Sequence, residues 1–240
     1  GARSERRGPP PDPNENIDLW NRIQLGISLV GAGEYRQAVD VFDGVLEVDP
    51  DIPLIYEYLG NCWRQLADDG AAENVFRRGI GRGIRSARLH SELGRILLQR
   101  GRAQEAKQER EVALALDPRS VVIHYDLGNL YRGLQDYPRA IEHYRAALDI
   151  NPSYVWGWNG LALSYAASGS NEEALASFRR VVTIDPQGPA GFFNLAVHLD
   201  RTGREEEAAQ AYERFLELSA DGGYEGQRRQ ARQALARLST

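Results

Sequence analysis

The residues of this chain that could carry chemistry are four histidines, one cysteine and one glycine-rich segment. His90 and His124 lie 34 residues apart, at the same position of an internal repeat. A whole repeat separates them, which is too far for two ligands of one zinc ion with bonds of about 2.0–2.1 Å. Cys62 has no second cysteine to pair with, and a small buried apolar side chain is its expected role. We therefore predict no metal site.

The glycine-rich segment 79–83 (GIGRG) resembles a phosphate-binding loop only in its glycines. No predicted strand precedes it and no Gly-Lys-Ser or Gly-Lys-Thr follows it, so the end of a helix is the better interpretation. Acidic pairs such as Asp68 and Asp69 lie at turns or helix starts, where they suit the helix dipole. No set of nucleophile, base and orienting group stands out. The sequence therefore predicts a protein that is not an enzyme and has no cofactor.

The composition is that of an ordinary soluble protein of 240 residues, with 26% charged residues and a formal net charge of −5. A net acidic chain whose only lysine is Lys107 is a poor candidate for binding nucleic acid through its phosphates. The uncharged stretches are far shorter than the about 20 apolar residues that cross a bilayer. We expect a soluble bacterial protein, in the cytoplasm rather than the periplasm. Because the chain has no methionine, we also expect that a segment before Gly1 has been removed.

The chain repeats itself every 34 residues from residue 19 to residue 222. One position of the repeat is alanine in all six copies: Ala38, Ala72, Ala106, Ala140, Ala174 and Ala208. Four residues later the repeats carry Phe42, Phe76, Arg110, Tyr144, Phe178 and Tyr212. A repeat of this length has room for two helices of about 12–14 residues and two short turns. The predicted repeats are 19–52, 53–86, 87–120, 121–154, 155–188 and 189–222.

Three repeats depart from the common pattern, repeat six only in that it lacks the closing proline. Repeat two contains Gly79, Gly81 and Gly83 and has Ile84 where most other repeats have proline. Its second helix is expected to end early or to bend, since a glycine in a helix costs about 1 kcal/mol relative to alanine. Arg110 replaces the aromatic residue of repeat three. We expect its aliphatic stem to lie in the core and its head to reach solvent or a carboxylate.

The spacing of these residues resembles the tetratricopeptide repeat. Repeat four shows the family pattern well, with His124, Leu127, Gly128, Tyr131, Ala140, Tyr144 and Pro152. The resemblance covers residues 19–222 without an insertion or deletion. It implies an all-α fold, an α-α superhelix (solenoid) of six helix pairs in which stacked neighbours share a continuous core.

The two ends of the chain fall outside the repeats. Residues 1–18 combine charges of both signs with four prolines and show no apolar periodicity, which indicates a linker or disordered arm. Residues 223–240 contain a basic amphipathic helix with Ala231, Ala234, Leu235 and Leu238 on one face. A membrane surface or an anionic partner is one interpretation of this helix. A capping helix that covers the last repeat is the interpretation we favour.

The resemblance also implies a binding surface, because in the family the first helix of each repeat lines the concave face and contacts the ligand. Carried onto this chain, the family's contact positions give ten candidate residues: Asn61, Arg64, Arg88, Arg95, Tyr125, Asn129, Arg132, Trp156, Asn159 and Phe193. The arginines suit an acidic group or a C-terminal carboxylate, which a guanidinium group binds with two hydrogen bonds. The alternative is that they pair with Glu57, Asp126 or neighbouring carboxylates of the chain itself.

The function predicted from these observations is a non-enzymatic scaffold that binds a protein or peptide in the concave groove. One alternative is that the chain is the C-terminal repeat tail of a larger enzyme, since the proline-rich arm faintly resembles the tail region of sulfatase-like hydrolases. The reading frame upstream of Gly1 would decide between these two. Another alternative is a self-associating homo-oligomeric scaffold with Trp20 or Trp156 in the contact, which light scattering over a range of concentrations would test.

Overall fold

The computed structural model describes residues 13–220 and 222–238, which form thirteen α-helices and no strand. The helices are α1 Pro13–Gly31, α2 Tyr35–Val48, α3 Pro53–Gln65, α4 Asp69–Gly81, α5 Ala87–Gln99, α6 Ala103–Leu116, α7 Val121–Gly133, α8 Tyr137–Ile150, α9 Val155–Ser168, α10 Asn171–Ile184, α11 Pro189–Arg201, α12 Glu205–Leu218 and α13 Glu225–Leu238. They form an N-terminal body, α1–α6, and a C-terminal body, α7–α13, divided between Leu116 and Asp117. None of the described helices is long and apolar enough to cross a membrane.

Each predicted repeat contains one pair of helices, and α13 lies in the predicted capping segment. Within each body the helices of a pair pack against each other, and α13 packs against α12. The first helix begins at Pro13, so residues 13–18 are helical although the sequence predicted an arm over 1–18. Proline is compatible with the first turn of a helix, because the N–H that it lacks would have no intrahelical partner there. Residues 1–12 lie outside the described residues.

Every repeat has a residue in the left-handed conformation between its two helices. In four repeats this residue is a glycine with φ between 75° and 86°: Gly33, Gly101, Gly169 and Gly203. Ala67 and Gln135 take φ of 59° and 60° at the same position of the other two repeats. A side chain makes this conformation costly, so glycine is the residue that suits the turn. The shared turn gives all six helix pairs the same local connection.

The large side chain that follows the repeat alanine packs against a glycine of the first helix. A methyl group added to Gly60 would lie 2.3 Å from the ring of Phe76, and one added to Gly128 would lie 2.7 Å from the ring of Tyr144. Tyr144 also lies against Gly160 of the next repeat, where an added methyl group would be 2.4 Å away. The small residues of the first helices therefore form the surface on which the aromatic rings lie.

Repeats two and three keep the helix pair but differ in detail. The second helix of repeat two, α4, ends at Gly81, one residue before the second helices of the other repeats, so it ends early as predicted. Arg110 is 3% exposed, and its Cγ packs against Gly94. The stem therefore lies in the core as expected, the head does not reach solvent, and the expected contact with a carboxylate stays a prediction. Residue 110 lies at the centre of the helix pair. When the aliphatic stem of Arg110 fills this space, the guanidinium group is buried as well.

Candidate binding site

The arginines predicted to bind a ligand in the N-terminal body are paired with carboxylates of the chain. Glu92 accepts hydrogen bonds from Arg64 Nη1 at 2.9 Å and from Arg95 Nε at 3.1 Å. Arg88 Nε lies 3.6 Å from the carboxylate of Glu57. These pairs match the alternative that the sequence left open for the arginines. An acidic ligand would have to displace Glu92 before it could bind Arg64 and Arg95 together.

Asn61 lines a small cavity of about 90 Å³ in the N-terminal body. The other lining residues are Leu54, Glu57, Tyr58 and Arg88. A water molecule occupies about 30 Å³, so this space holds only a few of them. The structure therefore brings Asn61 and Arg88 to one small cavity, which leaves little room for a ligand.

Three predicted site residues of the C-terminal body surround Tyr144. The Tyr144 hydroxyl donates a hydrogen bond to Asn129 Oδ1 at 2.7 Å and accepts one from Arg132 Nε at 3.4 Å. The ring of Tyr125 packs against those of Tyr144 and Tyr154, with centroid distances of 6.0 and 5.4 Å. Burial raises the pKa of Tyr144. Because their polar atoms and rings already contact one another, these residues support the inner face of this body.

The remaining predicted site residues lie on α9 and α11. Trp156 is 63% exposed. Asn159 Oδ1 accepts a hydrogen bond of 2.8 Å from Asn194 Nδ2, which links the two helices. Phe193 packs against Phe215, with a centroid distance of 5.0 Å. The structure thus brings Trp156 and Asn159 to one place and adds Asn194, which the sequence analysis did not select.

Trp156 and the two asparagines open onto a cavity of about 380 Å³, which we call the Trp156 pocket. Its lining residues are Val155, Trp156, Asn159, Val181, Asp185, Gly188, Pro189, Ala190, Gly191, Asn194 and Tyr224. They come from α9, α10 and α11, from the turn between α10 and α11, and from the residue before α13. A cavity of this size falls within the range of sites that hold small molecules, and it can hold a side chain of a bound peptide.

Gly188, which lines the Trp156 pocket, has no side chain and lets Asp185 lie against its backbone. The same position of the preceding repeats carries Tyr154 and Ser120. Asp185 lies in the space that a side chain would occupy, since a methyl group added to Gly188 would be 2.1 Å from Asp185 Oδ2. The φ of Gly188 is −81°, an ordinary value, so the missing side chain and not the backbone conformation matters here. This glycine was the sequence signal for the position of Asp185, and the polar groove positions do not include it.

Comparison with models of protein families agrees with the architecture of helix pairs. One tetratricopeptide repeat model matches residues 23–86, 125–189 and 160–223, and a second matches residues 87–111. The chain belongs to the tetratricopeptide repeat family. The predicted fold class, an all-α solenoid built from tetratricopeptide helix pairs, is therefore confirmed.

Solved tetratricopeptide repeat structures share this fold at low sequence identity. The C-terminal part of a repeat protein from Cytophaga hutchinsonii has a TM-score of 0.75 and 19% identity, over 90% of this chain and 87% of its own. PilF of Pseudomonas aeruginosa has a TM-score of 0.74 and 19% identity, over 91% of this chain and 99% of its own. YrrB is described as a tetratricopeptide repeat protein with an unusual peptide-binding site. It has a TM-score of 0.64 and 19% identity, over 75% of this chain and 93% of its own. No curated protein sequence matches the chain significantly.

Two of the histidines pack at equivalent places of neighbouring tetratricopeptide repeats. His90 Nδ1 lies 2.7 Å from the carboxylate of Glu109. One repeat later, His124 Nδ1 lies 3.3 Å from His143 Nδ1. Each histidine thus contacts a residue of its own repeat. Within residues 13–220 and 222–238, no group of three or more His, Cys, Asp or Glu side chains is placed to hold a metal ion.

Cys62 is expected to be unreactive while its tetratricopeptide repeat is folded. It is fully buried in α3, and burial raises the pKa of its thiol to about 11. Since the thiolate is the reacting species, Ellman's reagent at mildly alkaline pH should label the native chain at least about a hundredfold more slowly than the denatured chain. Similar labelling rates in the two states would contradict the burial of Cys62.

Proposed function

We propose that the chain is a non-enzymatic scaffold that binds a protein or peptide segment, with the Trp156 pocket as the main contact. The exposed indole of Trp156 at the edge of this cavity is the observation that carries the proposal. Trp is among the residues that dominate binding energy at protein interfaces. An aromatic ring that is 63% exposed, beside an open cavity, can still lose much of its surface to a ligand.

The asparagine pair in the pocket suits the backbone of a peptide. Each side-chain amide has one carbonyl acceptor and one NH2 donor group. The hydrogen bond between Asn194 Nδ2 and Asn159 Oδ1 uses one group of each residue. Asn159 Nδ2 and Asn194 Oδ1 remain available to a ligand. If both side-chain amides were flipped, one donor and one acceptor would still be available. An extended peptide offers an N–H and a C=O at each residue, so it can satisfy both groups.

Similarity to known proteins supports a scaffold role. The chain shares the tetratricopeptide fold with YrrB, which is described as having a peptide-binding site. The histidines His90 and His124, which could act as general bases, take part in packing contacts within their repeats. These observations favour binding over catalysis as the function of the repeats.

A selection from a random peptide library displayed on phage, with the full chain as the immobilised target, tests the proposal. We expect enriched peptides whose affinity for the Trp156→Ala variant is at least about tenfold lower, since loss of a central aromatic residue commonly has that effect. Trp20→Ala is the matched control, because Trp20 has the same position in repeat one and is 61% exposed. It should leave the affinity unchanged. A failure to enrich any peptide, or an equal loss in both variants, would contradict the proposal.

The other functions predicted from the sequence stay predictions. An acidic ligand at Arg64, Arg88 and Arg95 would compete with Glu92 and Glu57 for these arginines. The upstream reading frame tests whether the chain is the tail of an enzyme, and light scattering over a range of concentrations tests self-association. The exposed apolar side chains of α1, which include Trp20, are compatible with self-association but do not identify a partner.

A further inference from the structure

The Trp156 pocket contains one charged group. Among the described residues that line it, Asp185 alone carries a charge, and the others are apolar, amide, glycine or tyrosine residues. Asp185 follows α10, and no described arginine, lysine or histidine pairs with it. A ligand that fills the pocket would therefore meet a carboxylate whose charge is not balanced by a neighbouring cation.

Asp185 also differs from its equivalents in the other repeats. Asp117 Oδ1 accepts a hydrogen bond of 3.3 Å from the backbone N–H of Arg119, two residues later. Asn151 Oδ1 accepts the same kind of bond, at 3.1 Å, from Ser153. In the described structure Asp185 makes no such bond, and its carboxylate lies against Gly188 at the pocket. The side chain that closes the turn in other repeats is thus free to bind a ligand in this one.

The helix ends at the pocket do not change the sign of its charge. The C-terminal end of α10, at Ile184, contributes a partial negative charge, and the N-terminal end of α11, at Pro189, contributes a partial positive charge. Both ends are close to the pocket, because Val181 and Pro189 line it. These two contributions oppose each other, so the full charge of Asp185 decides the sign.

Trp156 provides a second feature that attracts a cation. Arg180 lies over the ring of the nearby Trp158, with its Cζ 5.5 Å from the ring centroid. No cation of the described residues lies over Trp156. The face of an indole ring attracts ammonium and guanidinium groups, most strongly when water is excluded. Trp156 is therefore an aromatic face that is available to a cation from a partner.

We infer that the Trp156 pocket takes a cationic side chain, preferably arginine, from the bound peptide segment; this inference rests on the proposed function. A guanidinium group can stack on the indole of Trp156 while its N–H groups donate to the carboxylate of Asp185, and lysine can do only part of this. The peptide backbone beside this side chain bonds to Asn159 and Asn194. The partner is thus a protein with an exposed basic segment, the opposite of the acidic ligand predicted from the groove arginines.

The peptides selected against the chain test this inference when they are synthesised with citrulline in place of arginine, which removes the charge and keeps the shape. We expect one enriched basic position, at which the change to citrulline lowers the affinity measured by fluorescence anisotropy about tenfold. In the Asp185→Asn variant the arginine peptide should bind about tenfold more weakly, and the change to citrulline should have little further effect. Asp117→Asn is the matched control, since Asp117 has the same repeat position outside the pocket. It should leave both affinities unchanged.

The outcomes separate the two proposals. The inference would be overturned if peptides that depend on Trp156 carried a neutral or acidic residue at the enriched position. It would also be overturned if they bound equally well with citrulline in place of arginine. Either result would leave the proposed function standing. An equal effect of Asp185→Asn and Asp117→Asn would also overturn the inference. If no peptide is enriched, or if none depends on Trp156, the proposed function and the inference are both overturned. Circular dichroism of each variant shows whether its helices are intact.

Discussion

Replacing Tyr144 by alanine is expected to destabilise the C-terminal body by about 4 kcal/mol, because loss of a large buried aromatic side chain typically costs about 3–5 kcal/mol. The Tyr144 ring is fully buried and lies between Gly128 and Gly160. Neither glycine has a side chain that could move into the space, so the cavity would stay largely unfilled. Urea denaturation followed by circular dichroism measures the loss. Hydrogen exchange should show it in α7–α10, since repeats are stabilised by their immediate neighbours.

The Tyr144→Phe variant is the control for this prediction. It keeps the ring and removes only the hydroxyl group that donates to Asn129 Oδ1. A hydrogen bond contributes about 1 kcal/mol net, and Asn129 is partly exposed, so water can replace the lost partner. The phenylalanine variant should therefore lose about 1 kcal/mol. If alanine cost no more than phenylalanine, the ring would not be part of the core as the structure has it.

Replacing Glu73 by glutamine is expected to destabilise the N-terminal body by about 2–3 kcal/mol at neutral pH. Glu73 is 6% exposed, at a repeat position that carries an apolar residue, such as Leu175, in four of the other five repeats. Its carboxylate accepts hydrogen bonds of 2.5–2.9 Å from Arg77, Arg100 and Arg102. Glutamine keeps the size of the side chain but removes the charge that these three guanidinium groups surround.

The pH dependence of this contribution has a defined sign. Burial by itself raises the pKa of Glu73, but hydrogen bonds from Arg77, Arg102 and Arg100 outweigh burial and lower the pKa to about 2. This value lies below the pKa of a glutamate in the unfolded chain. The stability that the ionised Glu73 contributes is therefore complete above about pH 5 and is lost as the pH falls towards 2. Urea denaturation at stepped pH should show that wild type loses more stability over this interval than Glu73→Gln.

Glu105→Gln is the matched control for the Glu73 prediction. Glu105 also pairs with Arg102 and Arg77, but 46% of its side chain is exposed. Water screens an exposed ion pair, so this variant should lose clearly less stability than Glu73→Gln. Equal losses in the two variants would mean that burial adds nothing at Glu73, against the physical reason given for its large effect.

Much of the fold could be predicted from residue types that act over short distances. The alanine and the aromatic residue four positions later lie on one helix face, and their recurrence at 34-residue steps predicted the helix pairs. The start of α1 at Pro13 was not predicted. The prolines of residues 1–18 indicated a linker, but a proline is also compatible with the first turn of a helix. The core position of the Arg110 stem was predicted, but the sequence did not decide whether its guanidinium group is buried, since a long side chain can also extend to solvent and its neighbours determine which occurs.

The sequence by itself determined that this chain is a series of tetratricopeptide helix pairs, because the pattern of small, aromatic and turn residues acts between neighbours in sequence. Only the tertiary structure decided which inner side chains remain available to a ligand, because that depends on distances between residues about one repeat apart. Arg64 and Glu92, 28 residues apart in sequence, meet at 2.9 Å and neutralise each other. Asp185 meets no described cation, and its carboxylate lies against Gly188 at the pocket. The residues with the most conspicuous charges in the sequence are therefore paired within the chain, and an aspartate of a turn faces the pocket.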